Sequence, residues 1–254
     1  MPLITTRRHP ETLQSQHRAH PLFDAPVVLF DAVVQVSVPR DFLHGATEGH
    51  QPVGVMLSSR PFADPKVSEV VVNMDRLEEE VAPHAQGVDV ALAAFGVGKG
   101  SAKMPEEEVR KIEIAYPQAF CRAARAGGAR VCGVMTATGA DPKAGMNYAK
   151  IIGEKEKAVE SVKFDLLGVY RPAVIHGNSN TPGVLGYVMP LLHWAMPSRY
   201  HSIHKNDLAR AMVAQSEQTF LAMAHGNAPR EPTVKILEYK DMAPFFVRGE
   251  SDEP

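Results

Sequence analysis

The chain has 254 residues, 22% of them charged and 44% hydrophobic, and a formal net charge of −2. That length suits one large α/β domain or two small ones at roughly 100–200 residues each, and the near-neutral balance gives no global pull toward nucleic acid or an anionic membrane. No apolar run reaches the ~18 residues of a membrane helix, and two cysteines, Cys121 and Cys132, are too few for a disulfide framework or a zinc site.

Residues 1–20 carry Arg7, Arg8, Arg18, three histidines and a single acid, Glu11. This is the composition of an organelle-targeting presequence without its amphipathic pattern. Residues 1–22 are therefore expected to be a flexible tail on a cytoplasmic protein, with mitochondrial import as the alternative. Residues 26–30 (PVVLF) are the candidate first strand. Residues 53–58 (VGVMLS) and 67–73 (VSEVVVN) are apolar and β-branched, and read as strands. Asp75 then caps a short helix over 76–82, with Glu78, Glu79 and Glu80 near its positive end.

Residues 88–95 (VDVALAAF) are a strand that ends in Gly96-Val97-Gly98. A long helix follows over 105–125. Pro105 suits its first turn, Glu106, Glu107 and Glu108 favour its N-terminal dipole, and Gly127-Gly128 stop it. Pro117 lies inside this helix and predicts a kink or a break. Residues 129–136 (ARVCGVMT) are a strand; Cys121 and Cys132 thus fall in buried segments, as small apolar filler. Residues 148–162 are a charged helix on which Glu154, Lys155, Glu156, Lys157 and Glu160 form a solvated face. Residues 165–170 (DLLGVY) are a strand closed by Arg171-Pro172. Asn206 or Asp207 opens a helix over 208–218, and residues 232–237 (PTVKIL) are the last strand.

Strands separated by helical stretches imply βαβ units and right-handed crossovers. The expected fold is α/β: a doubly wound, Rossmann-like parallel sheet, in a single domain over 23–254. Ligands on such sheets bind beyond the carboxyl ends of the strands. Here those ends are Ser58-Ser59-Arg60, Asn73, Gly96-Val97-Gly98, Thr136-Ala137-Thr138 and Arg171-Pro172-Ala173, all small or polar as a site requires.

The stretches VDVALAAFGVGKG at 88–100, ARAGGARVCGVMTATGAD at 124–141, YAKIIGEKE at 148–156, KFDLLGVYRPAVIHG at 163–177 and HSIHKNDLARAM at 201–212 occur in an informative order. In that order the chain resembles the atypical short-chain dehydrogenase/reductases, and within them the Tat-interacting-protein-like branch. The resemblance implies a domain that binds NADP or NAD, with a small-molecule substrate entering above the strand ends. It places Ser59 and Arg60 at a strand end where an arginine fork can hold a 2′-phosphate, which favours NADPH. It sets Asn73 near the adenine. Phe95, Gly96 and Val97 match the turn where the cofactor approaches the backbone closely. Arg171, Pro172 and Ala173 match the segment that reaches the nicotinamide.

Two departures weigh against this. After 26–30 the chain reads Asp31-Ala32-Val33-Val34-Gln35-Val36, with no glycine to bring backbone N–H groups to a pyrophosphate. The first βα unit, at about 26–50, is degenerate; Gly45-Ala46-Thr47-Glu48-Gly49 contains glycine but follows no convincing strand. These reductases also use a Tyr-x-x-x-Lys pair, in which the ammonium lowers the tyrosine pKa. Here Tyr148 is followed at that spacing by Ile152. Lys155, two helical turns on, is the nearest helper, and Thr136 or Thr138 would supply the hydroxyl that orients a carbonyl.

His201, His204 and Asp207 are spaced by threes, but the start of the helix beyond them argues against a metal site. His193 and Trp194 lie in an apolar stretch after Pro190, as ordinary packing or a substrate-side lid. Two functions are expected to compete. One is an NAD(P)-binding, reductase-like protein of weak or lost activity on a small carbonyl or alcohol. The other is a non-catalytic protein-interaction scaffold on the same fold.

Overall fold

The computed structural model describes the strands Leu3–Thr6 and Val28–Leu29 and residues 68–97, 104–177 and 193–246. In chain order the strands are β1 (Leu3–Thr6), β2 (Val28–Leu29), β3 (Ser68–Val71), β4 (Val90–Ala93), β5 (Val131–Met135), β6 (Leu166–Tyr170), β7 (Ile175–His176), β8 (Ile203–His204) and β9 (Thr233–Leu237). The main helices are α1 (Leu77–Val81), α2 (Glu106–Arg110), α3 (Tyr116–Ala126), α4 (Asn147–Glu160), α5 (Lys205–Ala222) and α6 (Tyr239–Met242).

Five strands form a parallel sheet in the order β2-β4-β5-β6-β9. β4, β5 and β6 are apolar runs because a parallel strand with helices on both faces has no solvent side. Alternate residues divide between the faces. Ala91, Ala93, Cys132, Val134, Leu167 and Val169 pack with Leu77, Phe120, Ala124 and Val159 of α1, α3 and α4. Val90, Leu92, Val131 and Leu166 face the other way, toward Met223 and the Val213 and Phe220 of α5. Helices thus cover both faces, as a doubly wound sheet requires, and the fold is Rossmann-like. β2 lies beside β4, the neighbour relation of the first and fourth strands in a Rossmann sheet.

Several sequence expectations change in detail. The strand expected at 67–73 exists as β3, but it pairs antiparallel with β1 in a separate two-stranded sheet. Local pattern identifies a strand and leaves its partner open. β1 itself falls inside the stretch expected to be a tail. Asn73, not Asp75, caps the first helical turn: its Oδ1 accepts the Asp75 N–H at 2.9 Å. The helix expected at 208–218 begins at Lys205, with His204 as its cap in place of Asn206 or Asp207. The segments 45–49 and 53–58 lie outside the described residues.

Pro117 does disturb its helix, one turn upstream of itself. In a regular α-helix its ring would strike the carbonyl of Glu113. A π-turn over Lys111–Ala115 links α2 to α3 and takes up the clash.

The solvated face expected on α4 is half wrong. Lys155 and Glu156 are buried, at 2% and 9% exposure. A run of alternating charge is usually solvated; here the partners that allow burial are far away in sequence. Helix α4 also packs very closely on the loop before it. A Cβ on Gly153 would collide with backbone atoms of Asp141 and Pro142. Gly153→Ala gains about 1 kcal/mol of helix propensity, but overpacking against backbone costs about 1–3 kcal/mol. Net destabilisation is expected, read as a lower midpoint in urea; a raised midpoint would show that the loop yields freely.

Candidate functional site

The site lies at the carboxyl ends of β4, β5 and β6, and α4 organises it. Lys155 sits on the buried stripe Ile151, Lys155, Val159 and reaches toward β4. Its Nζ donates to the Phe95 carbonyl at 2.9 Å and pairs with Glu113 Oε2 at 3.1 Å, both side chains 2% exposed. Glu113 Oε1 accepts the Val97 N–H at 2.8 Å. The missing side chain at Gly96 makes this possible: a Cβ there would lie 2.7 Å from both Glu113 carboxylate oxygens. Phe95, Gly96 and Val97 follow β4 outside any regular element, and the group that closely approaches Gly96 is an internal carboxylate.

The next residue of α4 serves the other strands. Glu156 accepts from Arg171 Nε at 2.8 Å and from Nη2 at 2.5 Å, a two-pronged pair. Burial costs the Arg171 charge something, but its hydrogen bonds to Glu156 dominate and push its pKa up. Thr136, also buried, donates to Glu156 Oε1 at 2.9 Å, with the Tyr170 carbonyl at 3.2 Å as a second acceptor. The Thr138 hydroxyl lies 3.0 Å from the Arg171 carbonyl and 3.1 Å from that of Arg199. The Pro172 carbonyl accepts the Thr138 N–H at 2.9 Å, and Ala173 follows, half-buried. Both threonine hydroxyls and the arginine fork are therefore already engaged within the protein.

Tyr148 stands at the start of α4, 41% exposed. Burial of its hydroxyl end pushes the phenol pKa up, and the Glu113 carboxylate pushes it further. Ile152, at the position where a lysine would lower that pKa, is 2% exposed in the core. Lys155 meets Glu113 and Phe95 instead. Asn73 lies on the far side of α1 from this constellation in sequence and acts there as a cap; its N–H also donates to Glu80 Oε2 at 2.6 Å. Ser59 and Arg60 lie outside the described residues.

The Glu113 carboxylate, paired with Lys155, occupies the space beside Gly96, and the Arg171 guanidinium is paired with Glu156. Among the described residues no group of three or more His, Cys, Asp or Glu side chains is placed to hold a metal ion, and no helix is long and apolar enough to cross a membrane.

Sequence reading misses Glu113 and Glu156 as organising residues. A signal exists. Glu113 interrupts an apolar helix stripe of Val109, Tyr116 and Phe120, just as Lys155 interrupts its own. Two opposite charges on buried stripes of separate helices suit a buried pair.

No family model matches the chain. Among curated proteins it is 32% identical to rat (Rattus norvegicus) protein HTATIP2 over 109 residues, 43% of this chain and 44% of that protein. It is 35% identical to the mitochondrial protein fmp52 of Aspergillus niger over 89 residues, 35% of this chain and 38% of that one. The matched stretch spans less than half of either relative. These relatives bear out the resemblance to the atypical short-chain dehydrogenase/reductases. Among solved structures the chain is similar to MoeE5 in complex with UDP-glucuronic acid and NAD, with TM-score 0.47, 10% identity, and 67% and 62% of the two chains covered. It is also similar to dTDP-4-dehydrorhamnose reductase of Bacillus anthracis in complex with NADP, with TM-score 0.45, 11% identity and 69% of each chain covered.

Proposed function

We propose that this relative of HTATIP2 and Fmp52 is a reductase scaffold that has lost the reductase step and serves a non-catalytic role. One observation carries the reading: buried Ile152 stands four residues after Tyr148, where the lysine of the pair would be, and burial and Glu113 push the tyrosine pKa up. A tyrosine that gives and takes a proton near neutral pH needs the opposite shift. Thr136 and Thr138, the candidates to orient a carbonyl, already donate to protein oxygens.

The role left is either that of a protein whose state responds to NADPH or NADH, or that of an interaction scaffold for a protein partner. The family resemblance supports the first. The Glu113 carboxylate over Gly96 favours the second. The mitochondrial label of the Fmp52 relatives supports a mitochondrial over a cytoplasmic location.

Titration with NADPH and NADH, followed by nicotinamide fluorescence, is expected to separate the two roles. Binding selectively weakened by Arg60→Ala for NADPH supports a nucleotide-responsive protein; no binding at millimolar cofactor supports the scaffold. In the same samples no NADPH is expected to be consumed with small aldehydes and ketones. Turnover that Tyr148→Phe abolishes would overturn the loss of catalysis.

A further inference from the structure

The C-terminal part of the domain holds four imidazoles close together. His193 stacks on His201, with centroids 4.1 Å apart and planes 3° from parallel. Both rings meet the edge or face of Tyr239, at 5.8 Å and 4.9 Å. His176 and His204 meet edge to face at 5.3 Å, across the parallel pair β7 and β8. These contacts hold residues 193–204 beside the strand ends, where the Arg199 carbonyl accepts from Thr138 and the Ile203 N–H donates to Val174.

Two of these rings do something only a neutral imidazole can do. A backbone N–H can only donate, so a ring nitrogen that meets one must present a lone pair. His193 Nε2 accepts the Ser202 N–H at 3.0 Å. His204 Nδ1 accepts the Asn206 N–H at 3.3 Å, and so caps α5. Protonation removes both acceptors. It also puts a cation at the N-terminus of an 18-residue helix, where the dipole disfavours it, and puts another cation flat against the His201 ring.

We infer that residues 193–204 form a cover beside the candidate site, latched by neutral His193 and His204 and released by acid. The charged surroundings are mixed. His193 faces His201 and His176 and the phenol of Tyr239. His204 faces His176 on β7, and Asp207, Lys205 and Arg210 on α5. Asp207 favours protonation of His204 and His176; Lys205 and Arg210 oppose it at His204. Burial is the largest effect at His176, His193 and His204 and pushes all three down from the usual imidazole value. The latch therefore contributes its full stability above pH about 6.5, the open-state value. It is lost as the pH falls through the lower closed-state values.

The latch does not depend on the loss of the reductase step, and its test contains no nucleotide. Amide hydrogen exchange of the full chain is measured from pH 7.5 to 5.0 and expressed as protection relative to the unstructured rate at each pH. Protection at Ser202 and Asn206 is expected to fall severalfold, because both titrations are linked to the closed arrangement. Protection across Val131–Met135 is expected to stay constant. In the double variant His193→Gln, His204→Asn, each new amide oxygen can accept the same N–H without titrating. There the fall is expected to shrink below about twofold. Constant protection in the wild type would overturn the latch. So would a loss shared by Val131–Met135, which means acid unfolds the whole domain, or a loss that persists in the double variant.

Discussion

Lys155→Ala is expected to lower the stability of the protein by about 3–5 kcal/mol, the usual cost of removing one partner from a buried ion pair. The truncation strands the Glu113 carboxylate at 1% exposure, with the Val97 N–H still donating to it. It also leaves the Phe95 carbonyl without the ammonium. Urea unfolding followed by circular dichroism checks this, and a midpoint within error of the wild type would show that water or a rearranged side chain replaces the ammonium. The double variant Lys155→Met, Glu113→Leu sharpens the point. Replacing both charges with apolar groups of similar volume is often neutral or stabilising. Here the Val97 N–H loses its acceptor, which costs about 1–3 kcal/mol. The double variant is therefore expected to recover much of the loss and still fall short of the wild type.

Arg171→Ala is expected to cost about 2–3 kcal/mol, from loss of two charge-assisted hydrogen bonds in a partly buried pair. The side chains are 19% and 11% exposed, so solvent screening is limited. Glu156 would keep the Thr136 hydroxyl as a donor but lose both prongs of the guanidinium. Arg171→Lys is expected to recover less than half of the loss, because a point charge cannot reproduce the two parallel bonds of the guanidinium fork. The same urea measurement checks both variants; full recovery by lysine would make the pair a matter of charge alone.

The parallel core is legible in the sequence because its inner strands must be apolar throughout: β4, β5 and β6 fall within a few residues of their expected bounds, as does the β-branched edge strand β9. The partner of β3 is not, because a β-rich run at 67–73 carries no mark of direction. The buried charges are hidden for a related reason. Lys155 stands in a run, Glu154-Lys155-Glu156-Lys157, that looks like solvent-exposed helix, and its true partner, Glu113, is 42 residues away. Tyr148 and Ile152 can be read directly, since the four-residue spacing of a helix face is local. What stands in place of the missing lysine cannot, because it depends on how α2, α3 and α4 meet. The role of Pro117 is half legible: a proline inside a helix predicts disturbance, but the direction of relief, a widened turn that carries Glu113, comes from packing.

Lys155 and Glu156 are neighbours in sequence, so their side chains leave α4 about 100° apart around its axis. One is tied to the β4 side and the other to the β5 and β6 side. A helix seated only by apolar contact can creep about its axis as rotamers exchange. This one cannot turn either way without pulling a charge out of its partner. The angular phase of α4 is thereby fixed from its middle, and with it the direction in which Asn147 and Tyr148, two turns away, leave its first turn. A pair of opposite tethers on consecutive residues thus acts as a torsional lock, and it sets the aim of side chains that neither tether touches.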